Sequence, residues 1–187
     1  MQTTQAENIL RVYQSGTLSQ IRTGASWYAD AHALALHAGK GDVWRGAGVI
    51  AAYSPLTPWI RNVELARESL RTNYARRDTL GTSARAAQRI LNGEHTLDVL
   101  KGDKVRAFAA AIATNGETDI ATIDRHAHDI AMGRVFDNNA RKIGKRVFRE
   151  MGESYAIAAR ELNLSVAQVQ AITWVIWREM KGIHHAG

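Results

Sequence analysis

The stretch that decides the fold runs from residue 100 to 134 and reads LKGDKVRAFAAAIATNGETDIATIDRHAHDIAMGR. Apolar residues recur in it at three- and four-residue spacing, which predicts helices over 104–114 and 124–133. Asn115-Gly116 is typical of the end of a helix, and Asp124 is a residue type that caps the start of one. The stretch therefore predicts two successive helices, with Asp124 at the N-terminus of the second.

The rest of the chain repeats this helical pattern. Its only two prolines, Pro55 and Pro58, lie together, and alternating strand-like runs are missing. We predict an all-α fold, a single compact domain of about ten helices over 1–187, with a core motif at 45–135 and a C-terminal helical hairpin at 153–182. The predicted helices are 5–14, 25–38, 42–53, 59–75, 82–92, 104–114, 124–133, 139–150, 153–162 and 166–181.

Composition restricts the chemistry and the partners. The chain has no cysteine, which excludes disulfides, thiolate zinc sites and iron–sulfur clusters. Its start lacks the apolar core of a signal peptide, and no apolar run approaches the roughly 20 residues of a membrane span. We therefore expect no membrane partner and a cytoplasmic location, which is the host cytoplasm if a phage encodes the protein. The net charge of +6 favours a polyanionic partner.

The positive charge is concentrated in two clusters. Each is typical either of a solvated helix face or of a track that contacts phosphates. The first cluster comprises Arg61, Arg67, Arg71, Arg76, Arg77, Arg85 and Arg89, and the second comprises Arg141, Lys142, Lys145, Arg146 and Arg149.

The 100–134 stretch resembles the helix–hairpin–helix DNA glycosylase superfamily, whose members carry a Leu-Pro-Gly-hydrophobic-Gly hairpin, a helix and a Val-Asp-x-His motif. Gly102 matches the first hairpin glycine, Asp124 the catalytic aspartate, and His126 the histidine two residues later. The resemblance covers about residues 45–135 and implies a glycosylase-like fold acting on a flipped base in DNA.

The chain is also similar to small uncharacterised bacteriophage proteins, through Ser54-Pro55…Trp59…Asn62, Asp124-Arg125-His126-Ala127 and a Gln-Ala-x-x-Trp stretch at 170–174. The upstream motif resembles the early buried helix of the glycosylases, whose following loop faces the flipped base. The resemblances imply a base pocket formed by Tyr53, Trp59, Asn62, Gln170 and Trp174. Trp27 is a further candidate for its wall.

The chain departs from the superfamily pattern in the hairpin. Lys104 occupies the slot of the second hairpin glycine, and Arg106 occupies the slot of the nucleophilic lysine. An arginine stays protonated and cannot form a Schiff base, so we expect a monofunctional enzyme without lyase chemistry through that position. The residues expected to contact nucleic acid are Lys101, Gly102, Lys104, Arg106 and Arg125.

Aspartate chemistry suits the cleavage of an N-glycosidic bond. Breaking that bond builds positive charge on the sugar, and a carboxylate at a helix N-terminus is stabilised as the anion. Asp124 and His126 are therefore the candidate catalytic residues. Two structural alternatives stay open: Asp124 as a plain N-cap, and His126 as a core histidine. His126, His128 and Asp129 are two or three residues apart on the predicted helix, so their side chains do not point to one metal ion. We therefore expect no metal and no cofactor.

The segment 155–169 looks like a DNA-binding helix-turn-helix, with Asn163 at the turn and Ser165 capping the next helix. A recognition helix exposes polar side chains, whereas this second helix is apolar nearly all round. The pattern therefore favours a packed helical hairpin.

Three functions follow as hypotheses. The first is a DNA glycosylase-like hydrolase or related base-modification enzyme, of the phage type, acting on a normal, modified or hypermodified base. The second is a non-catalytic DNA-binding or inhibitory phage protein on the same scaffold. The third is a protein–protein module that uses the face of Trp174 and Trp177. We expect a monomer or weak homodimer.

Overall fold

The computed structural model describes residues 2–137 and 141–182. These residues form ten helices and no strand, so the all-α prediction is confirmed for the described part of the chain. The helices are α1 (Gln2–Gln14), α2 (Leu18–Ala38), α3 (Val43–Tyr53), α4 (Trp59–Thr72), α5 (Gly81–Leu91), α6 (Thr96–Val99), α7 (Asp103–Ala113), α8 (Arg125–Met132), α9 (Lys145–Leu162) and α10 (Val166–Met180).

The described residues divide into two compact units. Residues 2–28, 116–137 and 141–182 form one, which we call the terminal unit, and residues 29–115 form the other, the central unit. The expectation of a single domain over the whole chain stays a prediction.

The core of the terminal unit is formed by α1, α8, α9 and α10. Its fully buried side chains include Ile9, Ile130 and Tyr155. Helix α9 ends at Asn163, which adopts a left-handed conformation with φ 52°. Ser165 then caps α10, because its hydroxyl accepts from Gln168 N and the Gln168 side chain accepts in return from the Ser165 backbone. Helices α9 and α10 are thus joined by a short turn and contact each other.

The central unit is organised around α3, which is buried from Gly46 to Tyr53. Asp42 caps this helix by accepting from Arg45 N. A Cβ at Gly46 would lie 2.0 Å from the carbonyl oxygen of Ala35, so only glycine permits this approach of α2 and α3. Helices α4, α5 and α7 pack around α3.

The start of α2 differs from the prediction, and a glycine lies inside the added part of the helix. Helix α2 begins at Leu18, not at residue 25, and continues through Gly24. A Cβ at Gly24 would lie 2.4 Å from Ile172 Cα, so this glycine allows α2 and α10 to pack closely and does not break the helix.

The predicted helices 139–150 and 153–162 are wrong as separate elements. A single helix, α9, begins at Lys145 after the N-cap Gly144 and runs unbroken through Gly152. Residues 139 and 140 lie outside the described residues. Glycine inside a helix costs about 1 kcal/mol relative to alanine, and burial of the apolar face that carries Met151 and Tyr155 outweighs that cost. Helix α6, a single turn, was not predicted.

Candidate functional site

Asp124 is the residue around which the candidate site is built. Its Oδ1 accepts hydrogen bonds from His126 N at 2.9 Å and from Ala127 N at 2.8 Å. These are two of the N–H groups that the first turn of a helix leaves without a backbone partner. Asp124 is therefore the N-cap of α8, as the sequence predicts, and its carboxylate lies at the positive end of the helix dipole.

The second carboxylate oxygen of Asp124 is held by a residue far along the chain. Trp174 Nε1, on α10, donates to Asp124 Oδ2 at 3.0 Å. An ionised carboxylate offers about four lone-pair sites, and these three hydrogen bonds leave about one on Oδ2. Asp124 is half-buried, and its carboxylate is fixed in orientation by hydrogen bonds to both oxygens.

Aromatic rings surround this carboxylate. The ring of Trp174 makes an edge contact with His126, with centroids 6.2 Å apart, and another with Trp27, with centroids 6.4 Å apart. All three side chains are partly exposed. The site therefore combines one fixed carboxylate with accessible aromatic surface, which can stack on a planar base or bind a cation.

Tyr28 and Gln170 support the aromatic group from within the unit. The Tyr28 hydroxyl bonds Thr122 Oγ1 at 3.2 Å and donates to Gln170 Oε1 at 3.1 Å. Burial raises the pKa of the Tyr28 hydroxyl well above its ordinary value, so it remains a neutral donor. This pairing ties α2 to α10 and positions Trp27 beside Trp174. Gln170, predicted to line the base pocket, is buried and takes part in this support.

His126 is neutral in this environment. Burial lowers the pKa of its imidazole, the Asp124 carboxylate opposes that shift, and the guanidiniums of Arg125 and Arg178 reinforce it. Arg125 Nε donates to His126 Nε2 at 3.3 Å, so the neutral ring carries its proton on Nδ1. His126 thus presents a neutral N–H donor close to the carboxylate.

Arg178 belongs to this group, and the sequence analysis missed it. Its guanidinium carbon lies 4.4 Å from the centroid of the Trp174 ring, in a cation–π contact. Its Nε is buried and has no hydrogen-bond partner among the described residues. Burial lowers the pKa of Arg178, against the opposing charge of Asp124. The available signal was spacing, because residues four apart on a helix share a face.

A buried ion pair occupies another face of α8. Arg141 donates from Nε to Asp129 Oδ1 at 2.8 Å and from Nη2 to Oδ2 at 2.6 Å, and His128 Nδ1 lies 3.2 Å from Oδ1. The Asp129 side chain is 2% exposed and that of Arg141 is 10% exposed. Burial raises the pKa of the Asp129 carboxyl, but the bonds from Arg141 and His128 outweigh this effect and hold the pKa below its ordinary value. The cluster fixes α8, and with it the position of Asp124.

The other predicted pocket residues lie in the central unit. Tyr53 is fully buried, and its hydroxyl bonds Ser69 Oγ at 2.8 Å. Asn62 is 2% exposed and donates to the carbonyl of Ile50 at 3.0 Å. Trp59 is partly exposed at the start of α4. Tyr53 and Asn62 have roles in the core of this unit, and their assignment to a base pocket stays a prediction.

The predicted hairpin is an exposed basic turn at the start of α7. Gly102 is the N-cap of that helix with φ −89°, a conformation open to any residue. Lys101, Lys104 and Arg106 are exposed, and the Lys101 amine donates to the carbonyl of Asp98 at 2.8 Å. Thus the terminal unit brings together Asp124, His126, Arg125 and Trp174, whereas the hairpin residues belong to the central unit.

Metal and membrane sites have no counterpart in the described ranges. Across residues 2–137 and 141–182, no three histidine or carboxylate side chains are arranged to hold a metal ion. None of the helices in these ranges has both the length and the apolar character that a membrane crossing requires.

Comparison with known proteins gives one match. No curated protein and no solved structure is similar to the chain. One family model matches residues 1–181, nearly the whole sequence. The chain therefore belongs to that family, DUF7178, which is described as a family of unknown function.

Proposed function

We propose that the protein is a monofunctional DNA glycosylase-like enzyme that acts on a flipped normal or modified base. The observation that supports this proposal is the state of the Asp124 carboxylate. It is held by hydrogen bonds from His126 N, Ala127 N and Trp174 Nε1, and about one lone-pair site of Oδ2 has no partner among the described residues.

The geometry suits stabilisation of a developing sugar cation. As the N-glycosidic bond breaks, positive charge accumulates on the sugar, and a carboxylate already fixed in position stabilises it without reorganising. The open side of Oδ2 can instead orient the attacking water. The Nδ1–H of neutral His126 is a hydrogen-bond donor for the departing base or for a phosphate.

The aromatic and cationic side chains would hold the extruded nucleotide. Trp174 and Trp27 offer partly exposed rings on which a flipped base can stack. The guanidiniums of Arg125 and Arg178 lie near His126 and would neutralise a flanking phosphate. Exposed Lys104 and Arg106 in the central unit are further phosphate contacts of the kind that the hairpin resemblance implies.

The test is release of free base from DNA. Purified protein would be incubated with oligonucleotides bearing normal, deaminated and hypermodified bases, and free base would be read by mass spectrometry. We expect Asp124→Asn to reduce release by about 10²–10³-fold, the typical effect of removing one electrostatic stabiliser. Asp119→Asn is the matched control, because Asp119 is an exposed carboxylate of the same unit. Undiminished release by the Asp124 variant would remove the catalytic assignment.

A second candidate is a non-catalytic DNA-binding or inhibitory protein. It is favoured by one observation: two of the three hydrogen bonds to Asp124 are those of an ordinary helix cap, which needs no substrate. This candidate predicts salt-sensitive DNA binding with no base release by the wild type or the variant.

A further inference from the structure

A second candidate site lies in the central unit, on α4, α5 and the segment 73–80 between them. Seven arginines and three carboxylates occur over residues 59–91. All seven arginines are exposed. We call them the arginine surface: Arg61, Arg67, Arg71, Arg76, Arg77, Arg85 and Arg89. None of these residues takes part in the Asp124 site.

Two open, shallow clefts lie on the arginine surface. One cleft of about 330 Å³ is floored by buried Leu65 and lined by four of the arginines, with Glu64 and Glu68 among them. A second cleft, of about 360 Å³, is lined by Arg77 and Arg85 over the small side chains of Ala75 and Ala84. Cationic groups that converge on a cleft are arranged to contact one extended anion from several sides.

The three carboxylates do not pair with all seven arginines of this surface. Asp78 accepts from both Arg61 and Arg76. Exposed ion pairs of this kind contribute little net free energy, so phosphate oxygens can replace or share these partners. Arg67, Arg77 and Arg85 form no ion pair with any described residue and line the two clefts.

Tyr74 adds an accessible aromatic ring to the cationic groups. Its side chain is 52% exposed, and the Arg77 guanidinium lies 5.4 Å from the ring centroid. An exposed aromatic ring beside arginine is the combination on which unstacked bases of single strands pack. A duplex keeps its bases stacked inside and would use only the charges.

Hydrogen bonds fix the 73–80 segment that carries this ring. Arg76 N donates to Ser69 Oγ at 3.1 Å, and Ala75 N donates to Gln88 Oε1 at 2.9 Å. Tyr53 donates from its hydroxyl to the carbonyl of Arg76 at 3.4 Å. The segment is thereby held on α4 and α5 before any ligand arrives, which lowers the entropy cost of binding.

We propose that the arginine surface, with Tyr74, binds the phosphodiester backbone of a single-stranded nucleic acid. The phosphates lie in the two clefts and a base stacks on Tyr74. This binding does not depend on the chemistry of Asp124.

The experiment measures the affinity of the full chain for fluorescein-labelled (dT)20 by fluorescence anisotropy, from 50 to 300 mM NaCl. The test variant is Arg67→Gln/Arg77→Gln/Arg85→Gln. For single strands the slope of log Kobs against log[NaCl] is about −0.7 per phosphate contacted. Because the test variant loses three contacts, we expect its slope to be less negative than that of the wild type by about 2. The matched control is Arg11→Gln/Arg22→Gln/Arg160→Gln, which removes the same charge from exposed positions of the terminal unit outside both basic clusters. Its slope should match that of the wild type.

Tyr74→Ala separates stacking from charge. We expect it to weaken (dT)20 binding about ten-fold with no change of salt slope, and to leave binding to a 20-base-pair duplex unchanged. Equal loss in both arginine triples, or an unchanged slope in the test triple, would overturn the proposal. So would equal affinity for duplex and single strand with no effect of Tyr74→Ala. Base release depends on the Asp124 site and (dT)20 binding on the arginine surface, and the two are measured separately, so failure here and failure of the glycosylase proposal are separate results.

Discussion

Removing the charge of Asp124 has a consequence for stability that can be worked out from its hydrogen bonds. Asparagine is as good an N-cap as aspartate, so Asp124→Asn by itself does not abolish the cap of α8. The amide, however, has one acceptor oxygen where the carboxylate has two. That oxygen keeps the two cap bonds from His126 N and Ala127 N, and the bond from Trp174 Nε1 is lost.

The magnitude follows from the kind of bond that is lost. A hydrogen bond to a charged group contributes about 1.5–3 kcal/mol, and the Trp174 bond, at 3.0 Å to a half-buried carboxylate, is of that kind. Trp174→Phe removes the same N–H donor. Each single variant therefore deletes the same interaction, and the double variant deletes it only once. We expect the double variant to be more stable than the sum of the single losses predicts, by about 1.5–3 kcal/mol.

The assay is equilibrium urea unfolding followed by far-UV circular dichroism, because the variants change tryptophan fluorescence. Trp177→Phe is the matched control, since Trp177 lies on the same helix and packs in the core of the same unit. Its effect should add to that of Asp124→Asn within about 0.5 kcal/mol. If the effects of Trp174→Phe and Asp124→Asn also add within about 0.5 kcal/mol, the bond between the indole and the carboxylate is refuted. The claim that this carboxylate is fixed from two sides is then refuted as well.

Two further predictions concern the neighbours of this site. Asp129→Asn should lower the free energy of unfolding by about 3–5 kcal/mol, because it removes the charge of a buried carboxylate that accepts both guanidinium bonds of the ion pair. Glu150→Gln, in a pair whose arginine is exposed, should cost under about 1 kcal/mol. Urea unfolding would show the difference, and equal costs would contradict the burial argument. The stability that Asp129 contributes is present above its unfolded-state pKa and is lost as the pH falls through its lowered folded-state pKa. The pKa of His126, measured by NMR titration, should lie below 6.5. Asp124→Asn should lower this pKa further, because the carboxylate favours the imidazolium. A rise in the pKa of the variant would contradict the electrostatic account.

The elements that local chemistry controls were predictable. Asp124 as an N-cap, the Asp42 cap and the left-handed Asn163 depend on interactions within three or four residues, so residue type and spacing suffice to find them. The same holds for the Ser165 capping box, since its partner lies three residues away.

Glycine was the least predictable residue type. A glycine inside a helical pattern is compatible with a break, with an exposed position and with a close helix crossing. Gly24 lies at a crossing against α10, and Gly152 lies in open space within an unbroken helix. The sequence around each glycine is helical in pattern, and only the packing partner distinguishes the cases.

The sequence alone therefore determined the helical class, most helix termini and the carboxylate at the start of α8, because these follow from periodicity and capping within one or two turns. The tertiary structure decided what that carboxylate faces. Its indole partner lies 50 residues away on α10, and Arg178 reaches the site only because α10 packs beside α8. Such contacts form when apolar faces bury each other, and burial specifies that a face is covered without specifying which polar side chains meet at its edge.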